Sequence, residues 1–211
     1  MKRNVLFTLP ALMLIMMVSC QKEITDPSLD GTYNGGSGSG GSGSSGSKDI
    51  TGTWKFISLS AITQSTAQVS QAGDVLKTIT NTDYTTNDNT GTIVINSTTM
   101  ATTGMSYSIN DTAFALTYEN NVLIDSTAAP FSFSLPSYSS TTTYKLIGAD
   151  SISFTGASSP AVSGGSGAHY TLSGNILKFT TSVIKDTTIN AGGIIETQHS
   201  TATAVTTLQR Q

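Results

Sequence analysis

Ala113-Phe114-Ala115-Leu116-Thr117-Tyr118 places a large apolar or aromatic side chain at every second residue. A period of two is the beat of a β-strand, whose successive side chains point to opposite faces; a helix would repeat every three to four residues. The same beat returns elsewhere. Ile93 and Ile95 alternate with Thr92, Val94 and Asn96, while Trp54, Phe56 and Ser58 share one face of an earlier run. Tyr144 with Leu146, Ile152 with Phe154, and Tyr170 with Leu172 repeat it further on. From Asp49 onward Thr and Ser abound and no stretch keeps a helical period. The fold class read from this pattern is all-β.

Turn chemistry separates the runs. Asn87-Asp88-Asn89 with Gly91, and Asn110-Asp111, read as breaks between strands. Gly174-Asn175 lies between Tyr170-Thr171-Leu172 and Ile176-Leu177-Lys178-Phe179, a tight hairpin signal. Ala191-Gly192-Gly193 opens the last long run to Leu208, and Gly156 to Gly167 reads as a loop at one rim. Short strands joined by short turns predict an antiparallel up-and-down meander. Closing it into a barrel removes its edges. A β-sandwich of similar strand count is the alternative, since periodicity does not separate the two.

The chain before Asp49 is of a different kind. Lys2 and Arg3 precede an apolar run from Val5 to Val18, then Ser19-Cys20. That order reads as a secretory signal, and about 14 apolar residues are too few for a span of roughly 30 Å of hydrocarbon. Cys20, the single cysteine, stands at the expected cleavage point. Met17-Val18-Ser19-Cys20 resembles a bacterial lipoprotein signal, which implies lipid attachment at Cys20 and removal of Met1 to Ser19. Several acyl chains, at about 0.8 kcal/mol per buried CH₂, would hold the protein to the membrane. The implied location is the outer membrane, on either its periplasmic or its cell-surface face. Gln21-Lys22-Glu23 loosely resembles the export signal of Bacteroidota-type lipoproteins. Gly35 to Ser47 contains only Gly and Ser, a composition that cannot bury apolar surface. Three regions follow: a signal over 1–19, an anchored tether over 20–48, and a β-domain over 49–211.

Composition narrows the function. The net charge is −3, and losing Lys2 and Arg3 with the signal leaves −5. The remaining lysines are scattered singly, with no basic patch interleaved with aromatics, so nucleic acid is not an expected partner. His169 and His199 each stand alone in a strand-like run, without a second His or Cys two to four residues away. No metal and no cofactor are therefore expected. Ser and Thr nucleophiles need a positioned base, none is evident in the sequence, and the expected protein is not an enzyme.

Gly52-Thr53-Trp54-Lys55 resembles the opening Gly-x-Trp motif of lipocalins. Gly91-Thr92-Ile93-Val94-Ile95, Tyr170 to Leu177 and the ending Thr207-Leu208-Gln209-Arg210-Gln211 resemble lipocalin-like domains of Bacteroidota-type lipoproteins. The resemblance implies a barrel closed where Trp54 at its start meets Arg210 at its end. It leaves two functional readings. In one, the barrel binds a small apolar or amphipathic ligand between inward side chains, with Phe114, Leu116, Tyr118, Tyr144 and Tyr170 as candidate lining. In the other, a filled barrel is a surface module that contacts a protein or glycan through loops and Thr-rich outer faces such as Thr197, Thr201 and Thr203. A cavity of about 300 Å³ or more with convergent polar groups favours the first reading; a solid interior favours the second. Asp111-Thr112-Ala113, Asp125-Ser126-Thr127, Asp150-Ser151-Ile152 and Asp186-Thr187-Thr188 resemble the O-glycosylation acceptor of Bacteroidota-type secreted proteins. That implies Thr112, Ser126, Ser151 and Thr187 as candidate modification sites; local turn chemistry is the other explanation.

Overall fold

The computed structural model describes residues 49–155, 167–191 and 193–211. Strands β1 (Gly52–Gln71), β2 (Asp74–Thr85), β3 (Asn87–Ile95), β4 (Thr99–Glu119) and β5 (Val122–Ile147) come first. Then follow β6 (Ser151–Thr155), β7 (Gly167–Ser173), β8 (Ile176–Ala191) and β9 (Ile194–Arg210). All belong to one antiparallel sheet in which sequence neighbours pair except β2 with β3; β3 pairs with β1 instead, and β1 also pairs with β9. That last pairing closes a ring running β1, β3, β4, β5, β6, β7, β8, β9 and back to β1. A β-sandwich would hold the first and last strands in such a ring only by merging its two sheets. The fold is an up-and-down barrel.

Strands β2 and β3 share one position in the wall. β2 pairs with the far half of β1 and β3 with its near half, and both pair with β4. Thr86 bridges them. It is buried, and its Oγ1 accepts from Leu59 N at 2.9 Å while its own N–H donates to Leu59 O at 2.9 Å. The expected break at Asn87-Asp88-Asn89 is thus a kink without chain reversal. Asp88 (φ 52°) and Gly91 (φ 120°) absorb it as irregularities in the β3–β4 ladder. Gly91 is required there, since a Cβ would sit 2.7 Å from Met105 Cα. Asn110-Asp111 does not reverse the chain either: β4 runs through it.

The reversals lie elsewhere. Ala72-Gly73 and Asn120-Asn121 each carry two positive φ values, the signature of type I′ hairpins. Gly174 (φ 59°) with Asn175 turns β7 into β8, at the hairpin read from the sequence.

The core fills one end of the barrel. Trp54, Phe56, Ile93, Ile95, Met100, Met105, Ile152, Leu177, Phe179 and Leu208 are almost wholly inaccessible. Leu177 and Leu208 face each other across β8 and β9, and each such buried side chain contributes about 1.5–3 kcal/mol. Above this floor lies a belt of rings: Phe56 on Tyr107 (6.1 Å), Tyr107 on Phe133 (6.4 Å), and Tyr84 edge-on to Phe131 (6.1 Å). Beyond the belt, hydroxyl pairs take over, including Thr63 with Thr82 at 2.6 Å and Ser65 with Ser200 at 3.1 Å.

Two bulges decide which side chains face this interior. In β1 the register shifts between Phe56 and Ser58, so Leu59 and Ala61 continue the buried row in place of Ser58. In β4 it shifts between Thr102 and Met105, around Gly104 at φ 62°. Met100 and Thr102 are buried before the bulge; Met105, Ile109 and Ala113 are buried after it. An extra residue in one strand exchanges its two faces downstream.

Candidate functional site

That exchange corrects the expectation for β4. Phe114 is 58 % exposed, and Leu116 and Tyr118 follow it at the strand's period of two, on the outer face. Phe114, Leu116 and Tyr118 therefore do not line the interior. Tyr118 instead lies under Lys77, whose Nζ is 5.0 Å from the ring centroid. Tyr144 and Tyr170 are buried at the floor, but as parts of its frame. The Tyr144 hydroxyl donates to Asn96 O, and the Tyr170 hydroxyl donates to Ala149 O at 3.0 Å. Tyr170 also packs against Phe179 at 6.4 Å. Burial raises the pKa of Tyr144, and nearby Asp49 and Tyr170 add to the rise.

Trp54 and Arg210 are partners in the β1–β9 register. Trp54 is fully buried, and its Nε1 donates to Ile50 O at 3.0 Å. The Arg210 guanidinium carbon is 4.6 Å from the indole centroid, within cation–π range. Arg210 Nη2 donates to Asp49 O at 3.2 Å. The Asp49 carboxyl is held below its ordinary range by hydrogen bonds from the Thr51 side chain and backbone, with Arg210 adding attraction. The barrel is fastened here.

The other sequence candidates are dispersed. Thr197, Thr201 and Thr203 alternate along β9 with the row that contains buried Ala204 and Thr206, and so belong to the outer face. Ser182 Oγ meets Thr203 Oγ1 at 3.3 Å. Three of the four Asp-hydroxyl triplets show local capping. Asp111 Oδ1 accepts from Thr112 N (2.7 Å), Asp125 Oδ1 from Ser126 N (2.9 Å), and Asp150 Oδ1 from Ser151 Oγ (3.1 Å). Asp186, before Thr187, pairs instead with His199 Nδ1 at 2.6 Å on the exposed surface. Cys20 lies outside the described residues.

One juxtaposition is invisible in the sequence: Ser151 Oγ is 3.0 Å from His169 Nδ1, because β6 and β7 place the two directly opposite. Asp150, however, holds the serine, whereas a catalytic carboxylate would orient the imidazole. Among the described residues no group of three or more His, Cys, Asp or Glu could hold a metal ion.

A cleft of about 240 Å³ opens on the outer face of the barrel wall. Its lining is Ile62 and Gln64 from β1, Asn81 and Asp83 from β2, Thr112 and Phe114 from β4, over Thr63, Thr82 and Asp111. The cause lies in the register. β2 pairs with β4 only as far as Asn81 opposite Phe114, and the wall is next paired at Asn87 opposite Ser108. Between those rungs the two strands part. Ile62, 62 % exposed, and Phe114 stand on either side of the gap. Gln64 Nε2 donates to Asn81 Oδ1 at 3.0 Å and so fixes both amides.

No protein-family model and no curated protein sequence matches the chain. Among solved structures it is similar to Ail, the attachment invasion locus protein of Yersinia pestis, in complex with the heparin analogue sucrose octasulfate. That match has 7 % identity over 75 % of this chain and 99 % of that one, with a TM-score of 0.19. A second crystal structure of Ail matches at 7 % identity and the same coverage, with a TM-score of 0.15. Likeness at this level carries no argument about function, and the barrel rests on its own strand register.

Proposed function

We propose that this chain is a membrane-tethered, non-catalytic surface module that contacts a macromolecule through the outer wall of its barrel. The observation that carries this reading is where apolar surface is spent. The floor of the barrel is filled by side chains from Trp54 to Leu208, while Ile62 and Phe114 stand exposed beside a cleft on the outside. Exposed apolar groups gathered at one place mark interaction sites, whereas single ones carry no such meaning. Ile79 and Leu116, opposite each other across β2 and β4, extend the strip away from Phe114.

Lipid attachment at Cys20 in the outer membrane, with the Gly/Ser tract as tether, fits a module that must reach a partner. A lipocalin-type closure is supported by Arg210 over Trp54. The carrier reading is weakened because three of its five candidate lining residues, Phe114, Leu116 and Tyr118, belong to the outer face. Mass spectrometry of molecules extracted from the purified full-length protein tests the proposal. We expect no apolar ligand near one equivalent per chain; a stoichiometric lipid or other apolar molecule would return the function to the interior.

A further inference from the structure

The polar groups of the cleft select among partners more sharply than its apolar rim does. We propose that the cleft binds one ring of a neutral glycan, an inference that rests on the outer wall being the contact surface. Four features lead to this ligand. The first is size: about 240 Å³ is below the roughly 300–1,000 Å³ of sites for drug-sized ligands, and suits one compact ring of a longer chain.

The second is the pair of apolar walls. Phe114 (58 % exposed) and Ile62 (62 % exposed) flank the strip of β2 that carries Asn81 and Asp83. A pyranose presents apolar C–H faces with hydroxyls around its edge, so one face can lie on the Phe114 ring while the edge turns to the strip. The third is the mixture of hydrogen-bonding groups. With Gln64 Nε2 and Asn81 Oδ1 committed to each other, Asn81 Nδ2 offers donors and Gln64 Oε1 an acceptor. Asp83 adds acceptor oxygens and Thr112 a hydroxyl. A sugar hydroxyl both donates and accepts, so neighbouring hydroxyls suit such a mixture. A lysine or arginine side chain could use only the acceptors.

The fourth is charge. Asp83 and Asp111 line the cleft, and no Lys or Arg does; the nearest lysine along the outer face of β2, Lys77, lies over Tyr118. Sulfated or uronate-bearing glycans would be repelled. Because the groups sit on paired strands, little ordering is needed when a ligand arrives.

The test uses the full-length protein in detergent micelles, with saturation-transfer NMR against neutral hexose oligosaccharides, a sulfated oligosaccharide and a lysine-rich peptide. Transfer is expected to the ring C–H protons of a neutral oligosaccharide, and binding of the sulfated one should be at least about tenfold weaker. Phe114→Ala and Asn81→Leu should each weaken binding by about tenfold or more. Phe114→Trp should preserve it, and Asp83→Asn should narrow the gap between neutral and sulfated ligands. Far-UV circular dichroism should be unchanged throughout, since these side chains lie outside the core. Absence of transfer from every neutral oligosaccharide, or wild-type binding by Phe114→Ala, overturns the inference, as does preferential binding of the peptide. A photo-crosslinker at position 62 on intact cells separates this failure from that of the parent proposal. A protein captured there without glycan binding removes only the sugar. With no macromolecule captured and no glycan bound, both readings fall.

Discussion

Trp54→Ala tests the closure of the barrel. The indole is fully buried, and its β1 rung pairs with Ile93 on one side and Arg210 on the other. Truncating a buried tryptophan to alanine costs about 3–5 kcal/mol. The substitution also strips Ile50 O, in a buried residue, of the Nε1 donor at 3.0 Å, which adds about 1–3 kcal/mol. Arg210 loses the ring beneath it, for about 0.5–1 kcal/mol at an exposed site. A loss of roughly 5–9 kcal/mol is expected, against a total stability of about 5–15 kcal/mol for a domain. Urea unfolding of the full-length protein, followed by circular dichroism, measures it: the variant should be unfolded or close to its midpoint in buffer. Arg210→Ala should cost only about 1 kcal/mol, because the guanidinium is solvent-exposed and its other bond is to Asp49 O. Arg210→Lys should recover part of that. A loss below about 2 kcal/mol for Trp54→Ala, less than even the 3–5 of the truncation alone, would refute the reasoning. So would equal losses for Trp54→Ala and Arg210→Ala.

Three further outcomes follow from particular contacts, and a fourth from the signal sequence that ends at Cys20. Thr86→Val removes the acceptor that holds Leu59 N at 2.9 Å and should cost about 1–3 kcal/mol in the same urea titration; a change within about 0.5 kcal/mol would show that the kink does not depend on it. Gly91→Ala should lower the melting temperature, since its φ of 120° and the 2.7 Å approach to Met105 Cα leave no room for a methyl group. An unchanged melting temperature would contradict that packing. Burial raises the pKa of Tyr84, Tyr107 and Tyr144, so the unfolded chain releases these protons first as pH rises. Stability present below about pH 10 should therefore fall as pH climbs toward the folded-state values, and Tyr84→Phe with Tyr107→Phe should flatten the decline; an unchanged alkaline slope would count against it. Cys20→Ser should abolish partitioning of the protein into the detergent phase, and unaltered partitioning would remove the lipid anchor.

The sequence alone determined the fold class, because strand periodicity is a local property and each alternating run carries its own evidence of it. It also determined the Gly174-Asn175 reversal, where glycine supplies the positive φ that a two-residue turn needs. Two other reversals were less legible: Ala72-Gly73 and Asn120-Asn121 lie within long Thr-rich runs, though the paired asparagines carry a readable tolerance for left-handed backbone. Asn87-Asp88-Asn89 and Asn110-Asp111 have turn composition, yet cross-strand pairing on both flanks keeps the chain running on. Facing was decided only by tertiary structure. Alternation says that Phe114, Leu116 and Tyr118 share a face, and a single bulge near Gly104 chooses which face it is. The cleft beside Phe114 is likewise a product of register. It exists because the β2–β4 ladder stops at Asn81 before the wall is paired again at Asn87, and register is a relation between strands that no one stretch of sequence contains.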